Sequence, residues 1–437
     1  MANSEAGKTG SRKYRWLLCL LLFLISVNNY MDRQLFSIVA PVVTTEFRLS
    51  ASEIALIINS FLLAYAIGQV FSGRFMDWAG ARLGFTLCVM VWSLAGIFTS
   101  CARGVLSFSL FRFLLGAAES GNFPGGVKVL AEWFPQEERT TAVGVFTSGV
   151  SIGALLTPPV AAFLIVHFGW QVAFVAVGVP GLLWILAWRH VYRPAPLSAG
   201  AEDGSQPLAL DDGPADGPWG NMRRWSFLLR QRQAWGVILG RLLEEPVAWL
   251  FYSWLPLYLT KFMGVSLMKT GFLLTVPFMA QDIGFILGGF AASRLMKKGW
   301  TVDQARKCVI FVSATCMMSS LFAVAAPTPL AFVLLIGLAT FGHGSWSSNI
   351  MSMPSDIVPA SSVGTLYGMT GCGGALGSML FTQMIGMLVD KEGSFNTVFT
   401  IGGLLPLFAA IVMFIVGGKI QPLASLRLAP AQMGTKR

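Results

Sequence analysis

The sequence predicts an all-α polytopic membrane protein of about twelve transmembrane helices, arranged as two six-helix halves. Three observations carry this. Of 437 residues, 54% are hydrophobic and only 12% are charged. An ordinary soluble domain carries roughly 25% charged residues, so this chain has too few polar groups to cover a globular surface. Apolar stretches of the ~20 residues that a helix needs to cross ~30 Å of hydrocarbon recur along almost the whole length. One polar stretch rich in Pro, Gly, Asp and Arg divides those stretches into two sets of six.

In the first half the expected spans are 16–42, 52–72, 83–101, 105–131, 140–166 and 170–188, numbered here 1 to 6. In the second half they are 234–259, 270–292, 307–326, 330–353, 363–389 and 395–417, numbered 7 to 12. The expected domains are an N-terminal bundle at 1–188, a solvent-facing cytoplasmic connector at 189–233 and a C-terminal bundle at 234–437. The start of the chain, Lys8 to Arg15 followed by an apolar run from Trp16, has the charged-then-apolar form of a signal peptide. No small-residue cleavage pattern follows, and Asp32-Arg33 interrupts a longer helix, so the segment reads as span 1.

The net charge of +10 does not point to nucleic acid, because the basic residues fall in short loops between apolar runs. With the N-terminus inside, the inner segments hold roughly 22 basic residues against roughly five outside, which predicts cytoplasmic termini. The six cysteines (Cys19, Cys88, Cys101, Cys308, Cys316, Cys372) lie in or beside apolar runs without paired spacing and read as inert thiols. The three histidines lack ligand spacing, so no metal is expected. Neither a cofactor loop nor a nucleophile–base set is legible, which argues against an enzyme.

A glycine-rich fingerprint occurs once per half: Gly73-Arg-Phe-Met-Asp77-Trp-Ala-Gly80-Ala-Arg82 after span 2, and Gly289-Phe-Ala-Ala-Ser293-Arg294-Leu-Met-Lys-Lys-Gly299 after span 8. Its glycines allow a tight inter-helix turn, and Asp77 with nearby arginines can form an inner-side charge latch. In this the sequence resembles the major facilitator superfamily. That resemblance implies the major facilitator fold, with two halves rocking around a midplane site, and makes Gly73, Asp77, Gly80 and Arg82 the gating latch. In the second copy Ser293 stands where the acid usually does.

Ionisable groups deep within a span are costly and need a reason. They occur at Asp32-Arg33 in span 1, Arg112, Glu119 and Lys128 in span 4, Arg241 with Glu244-Glu245 in span 7, and Asp282 in span 8. Span 1 reads Asn28-Asn29-Tyr30-Met31-Asp32-Arg33-Gln34. Tyr30 and Arg33 share a face, and Asp32 points about 100° away from Arg33, so one face can bind an anion while the other titrates. The alternative is that Asp32 and Arg33 pair with neighbouring helices. Arg112 and Glu119 share a face of span 4 roughly 10 Å apart along the axis. With span 1 they form either a relay of two acids and two arginines or a structural lock between the spans.

Asn29-Tyr30-Met31-Asp32-Arg33, Arg112 with Glu119 through Pro124, and Gly149 to Pro159 are similar to signatures of the anion:cation symporter family, which includes bacterial hexuronate and sugar-acid transporters. In the second half, Arg241 to Pro256, His343-Gly-Ser-Trp346-Ser-Ser-Asn349 and Tyr367 to Gly374 resemble the hexuronate branch, with Glu244-Glu245 as a departure. The resemblance implies a substrate site drawn from Tyr30, Arg33, Tyr65, Gln69, Arg112, Asn122, Glu244, Trp249, His343, Trp346, Asn349 and Thr370. Trp249, Trp254 and Trp346 would stack on a sugar ring, although any single aromatic more often packs against lipid. Tyr65, Gln69 and Asn349 would bond to hydroxyls.

The expected activity is proton-coupled symport of a small organic anion, a hexuronate or aldonate, by alternating access across a bacterial inner membrane. Arg33 would hold the carboxylate, and Asp32 and Glu119 would carry protons. The carrier is expected to work as a monomer without a cofactor. Anion exchange and a non-transporting sensor are the rival readings.

Overall fold

The computed structural model describes residues 2–134, 136–193, 226–358 and 360–423. Ten of the described helices are long and apolar enough to cross a membrane. They supply spans 1–3, 5, 6 and 8–12. Span 1 belongs to a helix that starts well before its apolar run (Ala2–Glu46), and spans 2 and 3 are one helix (Ala51–Thr99) bent at Gly80. Gly80 has φ 70 and ψ 157, and Gly299 has φ 93 between spans 8 and 9, so both fingerprint copies turn on a glycine in left-handed backbone.

The remaining two spans, 4 and 7, carry most of the ionisable residues that lie within spans. Span 4 is broken in two, Val105–Glu119 and Asn122–Trp133, with Arg112 and Glu119 in its first piece and Lys128 in its second. Span 7 (Arg232–Leu257, continued by a π-helical turn Tyr258–Phe262) holds Arg241, Glu244, Glu245, Pro246 and Pro256. Among the described residues the fold is therefore all-α and polytopic, with these two spans added to the ten. Span 6 runs to Val191 and span 7 starts at Arg232, so the expected connector shortens at both ends, and its residues 194–225 lie outside the described residues.

Burial is inverted relative to a soluble domain. Leu106, Leu186, Ile286 and Leu380 are exposed, whereas Asp32, Arg112, Glu119, Arg241, Glu244 and His343 are buried. That is the arrangement expected where the outer solvent is hydrocarbon. With no hydrophobic drive between helices in lipid, close backbone approach does the packing. Span 5 lies on span 1 through Gly149 and Gly153. A Cβ at Gly149 would sit 2.6 Å from the Phe23 carbonyl oxygen, and one at Gly153 would sit 2.6 Å from that of Val27.

Each half is tied internally. In the first, Asn28 Nδ2 donates to the Val177 carbonyl (2.7 Å) and Trp184 Nε1 to that of Leu21 (2.8 Å), fastening span 1 to span 6. In the second, Arg232 donates to the carbonyls of Ile415 (2.8 Å) and Val416 (3.1 Å), fastening span 7 to span 12.

Hydrogen bonds that join two described residues across the halves lie at mid-depth or on the distal side, away from the helix end at Gly417. Asp390 accepts from the amides of Ala51 (2.7 Å) and Ser52 (2.9 Å) at the start of span 2. Lys261 donates to Thr45, Asn59 Nδ2 donates to the Met379 carbonyl (3.1 Å) and to Gln383 (3.3 Å), and Ser151 donates to Asp282 (2.9 Å).

Gly149→Leu tests the glycine packing, because the new side chain must push span 5 off span 1. The expected cost is about 1–3 kcal/mol, read as a lower unfolding temperature of detergent-solubilised protein. An unchanged transition would show that the two spans are not locked there.

Candidate functional site

The first-half site is built on the approach of span 2 to span 4. A Cβ at Gly116 would lie 2.5 Å from the Phe61 carbonyl oxygen, so only glycine admits span 2 at this depth. Gly116 stands one turn from both Arg112 and Glu119 on the same face. The close approach therefore brings the Phe61 ring against the guanidiniums of Arg33 and Arg112.

Arg33 Nε donates to Glu119 Oε2 at 2.9 Å, with the guanidinium side chain 13% exposed and the carboxylate fully buried. The Arg33 guanidinium carbon lies 4.5 Å from the Tyr65 ring centroid, 4.9 Å from Tyr30 and 5.4 Å from Phe61. Arg112 donates to the Arg33 carbonyl through Nη1 (3.2 Å), and its guanidinium carbon lies 4.5 Å from the Phe61 ring centroid and 5.3 Å from that of Phe36. Both guanidiniums thus lie against the Phe61 ring. Glu119 keeps Oε1 without a hydrogen-bond partner, and both Asp32 oxygens are buried without one. Asp32 points to span 3, where a Cβ on Gly96 would come within 3.2 Å of its Oδ1. The expected split of span 1 into an arginine face and a carboxyl face is what the helix presents.

With both acids ionised, Arg33, Arg112, Asp32 and Glu119 sum to zero charge. A net charge in hydrocarbon is expensive, and an anion added to the cluster in that state would leave it at −1.

In the second half, successive carboxylates of span 7 diverge as helical periodicity requires. Glu245 Oε2 takes Arg241 from its own helix (2.9 and 3.2 Å), whereas Glu244 Oε1 meets His343 Nδ1 of span 10 at 2.6 Å. Tyr367 of span 11 lies under Arg241, 5.7 Å away. Tyr252 donates to Gln281 of span 8 (2.6 Å) and stands edge-on to His343 with centroids 6.2 Å apart. The halves meet where Trp249 faces Phe61 at 6.3 Å. They meet again at Gly371, whose Cβ would lie 3.7 Å from Gln69 Oε1 and 3.9 Å from Arg241 Nη1.

Of the expected site residues, Tyr30, Arg33, Tyr65, Arg112 and Glu119 come together, and Glu244 comes together with His343. Gln69 is exposed beside Arg241. Others serve packing instead. Trp346 is fully buried among Ile310, Ala314 and Ile350, and Trp254 is buried near Phe395. Asn349 donates to the Gly288 carbonyl (3.2 Å) and accepts from Arg306 (3.2 Å), joining spans 8, 9 and 10. Asn122 donates to Ser26 (3.3 Å), and Thr370 donates to the carbonyl of Tyr367 on its own helix (2.8 Å). In the latch, Arg82 donates to the Arg189 carbonyl (2.9 Å), and the Asp77 side chain lies outside the described residues.

Phe61, Tyr252, Tyr367, Arg241 and Glu245 are the residues that sequence reasoning did not place in the site. The last two stood out as charges within a span, and their i, i+4 spacing was the available signal. Phe61→Leu removes the ring that both Arg33 and Arg112 contact and is expected to cost about 1–2 kcal/mol, read by thermal unfolding. A substitution without effect would mean the ring does not stabilise the two charges.

A family model described as Major Facilitator Superfamily matches residues 22–382. The chain is 29% identical over 405 residues to the hexuronate transporter of Escherichia coli K12, covering 92% of this chain and 94% of that one. It is 30% identical over 403 residues to the D-galactonate transporter of Escherichia coli O6:H1, covering 89% and 92%. A solved bacterial homologue of the human lysosomal transporter Spinster superposes with a TM-score of 0.73 at 19% identity, covering 92% of this chain and 95% of that one. The chain belongs to the Major Facilitator Superfamily and is a multi-pass membrane transporter.

Proposed function

We propose that the protein is a proton-coupled symporter for a small organic anion, a hexuronate or aldonate, working by alternating access as a monomer in a bacterial inner membrane. The observation that carries this reading is the 2.9 Å Arg33–Glu119 contact, partly open on the arginine side and ringed by Tyr30, Phe61 and Tyr65. The names of the relatives, hexuronate and D-galactonate transporters, favour the sugar-acid class.

The chemistry follows from charge. Protonating Glu119 removes the partner of Arg33, whose planar fork can then take the substrate carboxylate with two parallel hydrogen bonds. The cluster then carries Arg33, Arg112 and Asp32 as ions plus the substrate, and again sums to zero. Both the empty cluster with ionised acids and the cluster loaded with one proton and one anion are neutral. Anion alone or proton alone leaves a net charge, so only the neutral states change facing at low cost. Tyr65 and Gln69 of span 2 and Trp249 of span 7 border the same space and would contact the sugar chain.

The moving bodies in this reading are residues 1–188 and 234–437, joined by the 189–233 connector. The positive-inside excess puts the connector and both termini in the cytoplasm. The hydrogen bonds across the distal side then close the outer face, and Gly73, Asp77, Gly80 and Arg82 belong to the inner latch.

Glu119→Gln fixes the neutral form. Its empty cluster keeps a charge of +1 and its loaded cluster is neutral, so D-galacturonate counterflow is expected to persist while accumulation driven by a pH gradient is lost. Wild-type accumulation in this variant would remove Glu119 from coupling. Uptake by the wild type that requires substrate on the opposite side would identify an exchanger instead. Arg33→Lys keeps the charge without the fork, and D-galacturonate affinity is expected to fall by about tenfold or more. Unchanged binding would remove Arg33 from the site.

A further inference from the structure

The symport reading above uses one buried acid–arginine pair of the first half. The second half holds an unused buried pair. Glu244 is 1% exposed and His343 4%, they come from different spans, and their Nδ1–Oε1 separation is 2.6 Å. We propose that Glu244 and His343 form a second proton-carrying site, in the C-terminal half, loaded by one proton on His343 Nε2. The proposal rests on the chain being a proton-coupled carrier.

An ionised Glu244 only accepts, so Nδ1–H donates to it and Nε2 of the neutral ring is left with its lone pair. The atom facing Nε2 is Ser347 Oγ at 3.4 Å, one turn along span 10. A hydroxyl can donate to the neutral imidazole and accept from the imidazolium, so it serves both states. Loading forms one N–H bond on that lone pair with a proton from water and leaves the Nδ1–H contact in place.

Charge decides whether the proton matters. Around the pair, Arg241 and Glu245 cancel each other at 2.9 Å on span 7. On span 11, Tyr367 faces Arg241, and on span 8 Asp282 is turned to Ser151 of the other half, whereas its neighbour Gln281 holds Tyr252. Arg306 of span 9 is held by Asp356 at 3.1 Å and by Asn349, further along span 10. Glu244 is thus left with His343 as its one candidate counter-charge among the described residues. With neutral imidazole the group carries −1, and with imidazolium it carries zero. The argument that governs Glu119 applies again: the unprotonated group resists passage through closed states, and one proton releases it.

The site is tested without substrate by replacing exposed His167 and His190 with glutamine, leaving His343 as the single histidine. Nitrogen-15 spectra of the histidine-labelled full chain in lipid nanodiscs report whether Nε2 carries a proton. Conversion between the neutral and doubly protonated ring is expected between about pH 5 and 8, the range in which a histidine can switch, with loss of that conversion in Glu244→Gln. A ring that stays in one form throughout, or that titrates identically in Glu244→Gln, overturns the proposal. In proteoliposomes at zero membrane potential, each proton lost from coupling lowers final accumulation about tenfold per pH unit of gradient. D-galacturonate accumulation normalised to counterflow on the same vesicles is therefore expected to fall about tenfold in His343→Gln and in Glu244→Gln at a one-unit gradient. An unchanged ratio in both variants overturns the coupling role. Absence of pH-driven uptake by the wild type would instead overturn the symport reading, leaving the spectra to decide the site.

Discussion

The interaction on which the rest of the structure depends is the 2.9 Å contact between Arg33 and Glu119 in a region walled by aromatic rings. In water such a pair would contribute little. In a bilayer interior, ions are tolerated where they pair or face a polar cavity. The sum of charge around them then becomes a constraint on which states the protein can adopt. Four ionised groups from spans 1 and 4 satisfy that constraint when the site is empty. In the proposed symport reading, substrate satisfies it in company with a proton, and coupling follows from a site that must remain neutral while it changes facing.

The fold serves this constraint through small residues. Gly116 admits the Phe61 backbone and sets an aromatic ring against both arginines, Gly96 makes room for the Asp32 carboxylate, and Gly149 with Gly153 seats span 5 on the backbone of span 1. At Gly116, Gly149 and Gly153 a methyl group would collide with backbone, and at Gly96 it would crowd the carboxylate. The break in span 4 at Ser120–Gly121 places Glu119 at the end of its helix piece. On the distal side, Asp390 takes the free amides at the start of span 2, an interaction that helix ends offer to any carboxylate. It joins the halves by a contact that can part without leaving a stranded group in lipid.

Much of this was legible in the sequence. The apolar runs gave the spans, and the charges within them singled out Asp32, Arg33, Arg112, Glu119 and Glu244, because a buried ion has few bland explanations. Helical periodicity separated Asp32 from Arg33 correctly. It did not reveal which neighbouring helix each face meets, so the His343 partner of Glu244 and the Phe61 ring against two guanidiniums were beyond it. Trp346 shows the same limit: its neighbours on span 10 are polar, yet the residue itself lies in the core of the second half. An aromatic on a helix carries no mark that distinguishes a wall of a cavity from a core.

The most direct measurement is calorimetry of D-galacturonate binding to the detergent-solubilised protein in buffers of different ionisation heat, which counts the protons taken up with each anion. At least one proton per anion is expected for the wild type, with the count falling by one in Glu119→Gln. Binding of the anion to wild-type protein with no proton uptake would contradict the requirement that the Arg33–Glu119 cluster stay neutral.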